Sequence, residues 1–280
     1  MLDFTDCTFL IPYKNSNKDR ENNLLHVLRY LNTFLKTNVV VIEQKNNILT
    51  NTLNIINSKH FNNISLIYKE YDSGHNFNFH KTKLYNLGMQ EIKNEIVIPY
   101  DADVLIPLSQ LVEARNSIKQ GFDYCFPFNM NYIEISKLLP DDRETLLTDY
   151  NFENYKIKAS CKHEENSKKI YSKIPGIVRG CPPGGCLFIK KQVYIDFGLE
   201  NEDFYGYAPE DIERKDRLKK LGYSGTSIDG DIYHIEHHTE DRRIASTDSK
   251  NLYADISRMD ANTIKDYYSK KNYKNIYGLK

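Results

Sequence analysis

Residues 95–107 read EIVIPYDADVLIP, an apolar segment interrupted by Asp101 and Asp103. The residues on either side of the aspartates are mostly Ile, Val and Leu, which is typical of a strand that crosses a protein interior. Two carboxylates one residue apart are strongly destabilising in such a setting unless a positive group binds them or the chain reaches solvent. The segment therefore predicts a buried strand whose end carries a polar or cation-binding site.

Strand-like and helix-like segments alternate over the first half of the chain. The predicted strands, besides the opening segment, are CTFLIPYKN (7–15), NVVVIEQ (38–44), NISLIYKEY (63–71) and FDYCFPF (122–128). The predicted helices are DRENNLLHVLRYLNTFLK (19–36), HKTKLYNLGMQEIK (80–93) and LSQLVEARNSIKQG (108–121). In the first of these helices Leu24, Leu28, Leu31 and Leu35 recur at helical spacing. This alternation predicts an α/β fold with a mainly parallel sheet, in which ligands bind outside the carboxyl ends of the strands.

The second half is divided by a polar segment. Residues 139–179 are charged and weakly periodic, which indicates a mobile loop or an acceptor-side excursion, with a lid, a partner surface and plain disorder all open. Order resumes at GGCLFIKKQVYIDFGL (184–199), and a further helix is expected between Pro209 and Gly222. DIYHIEHH (231–238) is the last strand-like segment. We expect one domain over residues 1–240 and a helical C-terminal tail over residues 241–280.

Composition excludes several classes of protein. The chain has 38 basic and 38 acidic residues, so no overall field attracts nucleic acid or an anionic membrane. No apolar run approaches the about 20 residues of a transmembrane helix, and no signal-peptide pattern is present. The cysteines are odd in number and scattered, which favours a reducing compartment over a disulfide framework. We expect a soluble cytoplasmic protein with at most peripheral association with a membrane.

Two motifs supply candidate metal ligands. Asp101 and Asp103 offer the oxygen ligands that hard divalent cations prefer, although Asp-x-Asp strings are also common in turns. His234 and His237 offer imidazoles that suit manganese, although core and surface histidines are common too. Zinc is disfavoured because no cysteine pair has zinc-finger spacing, and CPPGGC (181–186) is more typical of a turn.

Two further features have both a structural and a functional interpretation. Glu210 and Asp211 fall in the first turn of a predicted helix, where the helix dipole favours carboxylates, but a carboxylate there can also act as a general base. Gly184 and Gly185 form either a turn or a place where the backbone approaches a ligand closely.

The order of the segments carries more information than any one of them. IPYKN, VIEQ, FHKTKLYNLG, YDADVLIP, GGCLFIKK, YGYAPEDIERKDRL and HIEHH follow one another between residues 9 and 238. This succession resembles the nucleotide-sugar glycosyltransferases of GT-A fold, and within them the beta-galactosyltransferase and polypeptide N-acetylgalactosaminyltransferase branch with related bacterial capsule and lipopolysaccharide enzymes. The resemblance implies a Rossmann-like, mainly parallel sheet flanked by helices.

The resemblance also implies a cofactor and a donor. Asp103 and His237 match the family's ligands for Mn²⁺ or Mg²⁺, with Asp101 near the ribose or the metal and His234 as a second histidine ligand. The donor is expected to be a UDP-sugar. Its contacts are implied at Pro12, Tyr13, Lys14, Glu43, Lys81, Lys83, Asp101, Gly184, Gly185 and Tyr207.

The implied reaction is the inverting transfer of a hexose or N-acetylhexosamine, with galactose or N-acetylgalactosamine favoured, to a free or lipid-linked glycan. Asp211 matches the general base, and Glu210 matches a residue that binds acceptor hydroxyls. Bacterial surface polysaccharide synthesis at the inner face of the membrane is the implied setting. The chain departs from the family pattern where Tyr205 and Tyr207 replace tryptophans and residues 208–209 replace two glycines. A non-catalytic nucleotide-sugar- or carbohydrate-binding module and a metal-dependent nucleotide-sugar phosphohydrolase are the competing hypotheses.

Overall fold

The computed structural model describes residues 1–45, 52–72, 78–129, 131–135, 140–150, 152, 177–178, 183–235, 237 and 246–280. The strands are β1 Leu2–Tyr13, β2 Leu35–Lys45, β3 Ile64–Asp72, β4 Ile96–Pro99, β5 Val104–Leu105, β6 Tyr124–Phe126, β7 Tyr132–Glu134, β8 Ile177–Val178, β9 Phe188–Lys190, β10 Gly225–Ser227 and β11 Ile232–His234. The helices are α1 Lys18–Phe34, α2 Thr52–Ser58, α3 Lys81–Gly88, α4 Leu108–Lys119, α5 Pro140–Asp149, α6 Lys191–Asp196, α7 Glu210–Lys220, α8 Thr247–Arg258, α9 Ala261–Lys271 and α10 Tyr273–Ile276, with a 3-10 turn at Met89–Glu91.

The central sheet has seven strands in the order β10-β6-β9-β4-β1-β2-β3. β4, β1, β2 and β3 are mutually parallel, and β9 alone runs antiparallel to its neighbours β4 and β6. The predicted α/β class with a mainly parallel sheet is therefore confirmed. Because β9 inserts between β4 and β6, the residues that precede it are placed directly beside the end of β4.

The core forms where α1 packs on β1 and β2. Phe9, Leu10 and Ile11 are fully buried, as are Leu28 and Leu31 on the predicted apolar stripe of α1. The stripe is shorter than predicted, since α1 ends at Phe34 and Leu35 adopts extended backbone as the first residue of β2. At its other end α1 begins after Asn17, whose side chain accepts a hydrogen bond from the backbone N–H of Arg20 at 3.0 Å.

A second sheet, in the order β5-β11-β7-β8, was not anticipated from the sequence. β11 pairs antiparallel with β5, so that His234 lies opposite Val104. β11 also pairs parallel with β7, so that His234 lies opposite Glu134. Strands of two or three residues carry too weak a period for sequence reasoning, but this sheet is what brings the DAD and HIEHH segments together.

Most of the predicted mobile loop, residues 139–179, lies outside the described residues. Its described part contains α5, β8 and Phe152, whose ring lies 5.9 Å from that of Tyr30 and 4.9 Å from that of Tyr233. This part of the segment packs against the domain core. A lid function for the remainder stays a prediction.

The C-terminal tail is helical, as predicted, and α8, α9 and α10 follow one another with short connections. The tail packs on the domain: the Tyr268 hydroxyl donates to Glu213 Oε1 at 2.7 Å, and the backbone N–H of Glu202 donates to the Tyr273 hydroxyl at 3.1 Å. Across the described ranges, no helix combines the length and the apolar content that a membrane crossing requires.

The cysteines are consistent with the expectation of no disulfide framework as far as they are described. Cys7, Cys125 and Cys186 are buried and free, whereas Cys161 and Cys181 lie outside the described residues. Burial raises the pKa of the Cys125 thiol to about 12, so this thiol stays protonated at neutral pH.

Candidate functional site

A cavity of about 460 Å³ opens at the carboxyl ends of β1 and β4, between the second sheet and the first turn of α7. Its position is the one expected for a ligand site in a parallel α/β sheet. The lining residues are Pro12, Tyr13, Arg20, Phe79, Lys81, Asp101, Ala102, Asp103, Val104, Tyr132, Glu134, Gly184, Gly206, Tyr207, Ala208, Pro209, Glu210, Asp211, Ile212, His234 and His237. The cavity is thus lined by residues from four motifs identified in the sequence, namely the aspartate pair, the glycine pair, the start of α7 and the histidines.

Three potential metal ligands meet on one side of this cavity. One ligand atom from each of Asp103, His234 and His237 lies within 4.8 Å of the other two. Asp103 Oδ2 is 3.1 Å from His237 Nε2 and 3.7 Å from His234 Nε2. One carboxylate and two imidazoles form a donor set that suits Mn²⁺ and leaves coordination positions for a ligand such as a diphosphate. The residues present therefore fit the metal that the sequence implied.

Arg20 adds a positive charge to this side of the cavity, with its guanidinium 3.7 Å from Asp103 Oδ2. Burial alone would raise the pKa of Asp103, but hydrogen bonds from His234 and His237 and the charge of Arg20 hold it well below its ordinary value. Asp103 is accordingly an ionised ligand. Sequence reasoning did not identify Arg20 as a site residue, because a charged residue in the first turn of an amphipathic helix is usually exposed to solvent.

Asp101 has other partners. Lys81 Nζ lies 3.0 Å from its carboxylate, and the Tyr85 hydroxyl donates to Asp101 Oδ1 at 3.2 Å. Its backbone N–H donates to the carbonyl of Gly185 at 2.8 Å, which fixes the turn after β4. The structure thus separates the two aspartates: Asp103 faces the histidines, whereas Asp101 faces a lysine.

Lys81 lies among three carboxylates. Besides Asp101, its ammonium is 3.3 Å from Asp211 Oδ2 and 3.5 Å from Glu210 Oε1. Burial would lower the pKa of Lys81, but the surrounding negative charges, Asp101 first, raise it well above its ordinary value. The side chain is therefore a permanent cation that joins the end of β4 to the start of α7.

The two carboxylates at the start of α7 have opposite electrostatic environments. Burial, followed by the negative charge of Asp211, raises the pKa of Glu210 to about 8. Burial would also raise the pKa of Asp211, but the charges of Lys81 and Arg214 lower it below its ordinary value. At neutral pH Glu210 is therefore a proton donor and Asp211 a proton acceptor, which is the division of roles that acid–base chemistry needs.

Arg214, one turn further along α7, supports Asp211 from behind. Its guanidinium lies 2.9 Å from Asp211 Oδ1, and its Nε donates to Glu200 Oε1 at 2.7 Å. Its side chain is only 3 % exposed. Sequence reasoning did not single it out, because an arginine in a charged helix is usually on the solvent face.

The glycine pair lies against the same carboxylate. A Cβ at Gly184 would stand 2.5 Å from Asp211 Oδ2, and the Tyr132 hydroxyl donates to the carbonyl of Gly184 at 2.5 Å. Gly185 has a φ of +96°, a conformation that favours glycine. The sequence left open a turn or a close approach of the backbone to a ligand here, and in the structure Gly184 lies close to Asp211. Tyr132 was also missed, because it belongs to a three-residue strand.

The remaining predicted residues divide into two groups. Pro12, Tyr13 and Tyr207 line the cavity. The other predicted residues do not line the cavity; they are Lys14, Glu43, Lys83 and Gly185. Glu43 is fully buried and accepts hydrogen bonds from Thr52 and Tyr68 at the end of β2, and the Lys83 ammonium lies 5.1 Å from the centre of the Tyr71 ring. Contacts of these residues with a nucleotide stay predictions.

Neither a protein-family model nor a curated protein matches the sequence. Solved structures do match the fold. GalNAc-T7 in complex with UDP, GalNAc and Mn²⁺ superimposes with a TM-score of 0.55 and 13% identity over 98% of this chain, which spans 54% of that structure. A variant of Drosophila beta-1,4-galactosyltransferase 7 with manganese, UDP-Gal and xylobiose gives a TM-score of 0.50 and 14% identity, covering 91% of this chain and 79% of that one. A mannosyltransferase from Pyrobaculum calidifontis with GDP-Man and Mn²⁺ gives 0.50 and 14%, covering 84% and 58%.

Proposed function

We propose that the chain is a metal-dependent glycosyltransferase that moves a sugar from a nucleotide-sugar donor to a glycan acceptor. The fold is that of the GT-A glycosyltransferases, as the sequence predicted. The observation that carries this proposal is the presence, in one cavity, of the Asp103–His234–His237 cluster and of an ionised Asp211 beside a protonated Glu210. The neighbouring structures, which hold Mn²⁺ with UDP- or GDP-linked ligands, support the same class of donor.

The residues divide the reaction between them. Asp103, His234 and His237 would hold the cation, which when bound stabilises the negative charge of the departing nucleoside diphosphate. Asp211 accepts the proton of the acceptor hydroxyl as its oxygen forms a bond to the anomeric carbon of the donor and the bond from that carbon to the diphosphate breaks. Glu210 donates a hydrogen bond to the acceptor. This single displacement inverts the anomeric centre.

The finer features of the proposal rest on the sequence resemblance. They are a UDP-linked galactose or N-acetylgalactosamine as donor, a growing bacterial surface glycan, free or lipid-linked, as acceptor, and a cytoplasmic position at the inner face of the membrane. Tyr205 and Tyr207 are 43% and 55% exposed, and aromatic faces of this kind stack on the apolar faces of sugar rings. They are therefore candidates for the acceptor side of the cavity.

The metal half of the proposal is tested by binding. UDP-, GDP-, CMP- and dTDP-sugars are screened by thermal shift with Mn²⁺ and with EDTA, and we expect a UDP-sugar to stabilise the protein only with Mn²⁺. At a ligand concentration of a hundred times Kd the gain is about 2.7 kcal/mol. Asp103→Ala and His237→Ala should abolish this gain, whereas Asp149→Ala on the exposed face of α5 should retain it. Equal stabilisation in EDTA would remove the metal from the proposal.

The catalytic half is tested by Asp211→Asn, which keeps the shape of the side chain but cannot accept the proton. Donor binding should persist while sugar transfer falls by about 10²- to 10⁴-fold. Asp216→Asn, in the same helix but bonded to Tyr253, is the matched control and should transfer normally. Product analysis by mass spectrometry separates the alternatives, because free sugar without an acceptor would indicate a phosphohydrolase and no product a binding module.

A further inference from the structure

Strand β7 presents two side chains to the cavity that the mechanism above does not use. Tyr132 and Glu134 line the cavity, and Ile133 between them is buried on the other side of the strand. Alternate residues of a strand share a face, so the two polar side chains form one edge of the site, about 7 Å from end to end at the usual rise of a strand.

The two ends of this edge lie beside different parts of the site. Glu134 is opposite His234 in the parallel pairing of β7 with β11, and thus next to the Asp103–His234–His237 cluster. The Tyr132 hydroxyl is bonded to Gly184, which contacts Asp211. A sugar that joins a metal-bound diphosphate to an acceptor hydroxyl near Asp211 has to occupy the space between these two ends. β7 therefore lies alongside the position of the donor sugar, with Glu134 nearer the diphosphate.

Glu134 differs from the other cavity carboxylates in its surroundings. Asp101 and Asp211 each face Lys81, and Asp103 faces Arg20. Glu134 has neither a hydrogen bond nor an ion pair to any other residue that the structure describes, yet it is not an exposed side chain. A half-buried carboxylate gains free energy from hydrogen-bond donors, and an ionised carboxylate is an acceptor only.

We infer that Glu134 is a specificity-determining residue for the donor sugar. It accepts a hydrogen bond from a hydroxyl or amide N–H of an uncharged hexose or N-acetylhexosamine, and its negative charge disfavours donors whose sugar is anionic, such as a uronate. The inference rests on the proposed function and adds to it the class of sugar that the site selects. Tyr132 completes the edge, and its hydroxyl donates to the carbonyl of Gly184.

The test is Glu134→Gln, which keeps the size of the side chain and removes its charge. Calorimetry in Mn²⁺ compares UDP, UDP-galactose, UDP-N-acetylgalactosamine, UDP-glucose and UDP-glucuronate on wild type and variant. We expect unchanged affinity for UDP, about tenfold or more weaker binding of the best uncharged donor, and improved binding of UDP-glucuronate, because a hydrogen bond to a charged group contributes about 1.5–3 kcal/mol. Glu113→Gln, on the exposed face of α4, is the matched control and should leave all ratios unchanged.

Each alternative result has a definite meaning. If Glu134→Gln leaves the ratio of uncharged to anionic donors unchanged, the inference is wrong while the proposed function stands. If the affinities for Mn²⁺ and for UDP fall together, Glu134 acts on the metal and the inference is also wrong. Wild-type protein that binds none of the nucleotide-sugars in the screen would overturn the proposed function and this inference with it.

Discussion

Replacing Arg214 with methionine tests how the site keeps Asp211 ionised. The guanidinium lies between Asp211 Oδ1, at 2.9 Å, and Glu200 Oε1, at 2.7 Å, with a side chain only 3 % exposed. Its loss leaves two buried carboxylates without that cation. Removing one partner of a buried ion pair typically lowers the free energy of unfolding by about 3–5 kcal/mol, and we expect a loss in that range.

The effect on catalysis follows from the sign of the pKa change. Burial raises the pKa of Asp211, and the charges of Lys81 and Arg214 together bring it below its ordinary value. Without Arg214, only Lys81 remains of these two charges to oppose the effect of burial, so the pKa of Asp211 rises. Because the base must be ionised, the acid limb of the pH profile of kcat/KM should move to higher pH.

Arg217 supplies the matched control. It too is a buried arginine of α7, and its Nε lies 2.9 Å from Glu213 Oε1, but it has no contact with Asp211. Arg217→Met should lower stability by a similar amount, measured by urea denaturation, and leave the pH profile in place. Arg214→Lys restores a charge without the forked geometry and should recover part of the shift. If both methionine variants move the pH profile equally, or neither does, Arg214 does not hold the base and the reasoning is refuted.

Three further outcomes follow from other contacts. The pKa of Glu210 is raised from 4.5 to about 8 in the folded protein, so ionisation of this carboxyl destabilises the fold increasingly as the pH rises between these two values. Glu210→Gln should therefore become more stable relative to wild type over that pH range, as measured by urea denaturation. Gly184→Ala places a methyl group 2.5 Å from Asp211 Oδ2. We expect the rate of sugar transfer to fall by about tenfold or more while donor affinity is retained, and an unchanged rate would show that Asp211 can move freely. Tyr268→Phe removes the hydroxyl that donates to Glu213 and should lower the free energy of unfolding by about 1–3 kcal/mol. No change would mean that the C-terminal tail is loosely attached to the domain.

Sequence reasoning succeeded where the period was long and the apolar content continuous. Strands such as β1 and β2, at 12 and 11 residues, and helix α1, at 17, carry enough repeats to be recognised from the pattern alone. The order of motifs then supplied the fold family. The end of α1 was misplaced by two residues because Leu35 continues the apolar stripe of the helix while its backbone already belongs to β2.

The parts that sequence reasoning missed depend on contacts between distant, short elements. β7 and β11 have three residues each, and nothing in their local pattern shows that Glu134 and His234 will be neighbours. The partners of Asp211 show the same limit: Lys81 comes from 130 positions earlier in the chain, and Arg214 looks like an ordinary surface charge in an acidic and basic helix. Such pairings are set by the sheet order, which composition and periodicity do not report.

The two aspartates of the opening segment differ because they are neutralised in different ways. Asp101 is compensated by a buried lysine within the protein, and that lysine also contacts the proposed base. Asp103 has two histidines and, at 3.7 Å, the Arg20 guanidinium, and these partners hold its pKa well below the ordinary value, whereas burial raises the pKa of Asp101 in spite of the ammonium at 3.0 Å. Asp103 is thus the aspartate held ionised beside two potential metal ligands, whereas Asp101 shares the single charge of Lys81 with Glu210 and Asp211. In the proposed reaction, a donor bound through a cation at Asp103 would therefore meet an Asp211 that Lys81 and Arg214 already hold ionised.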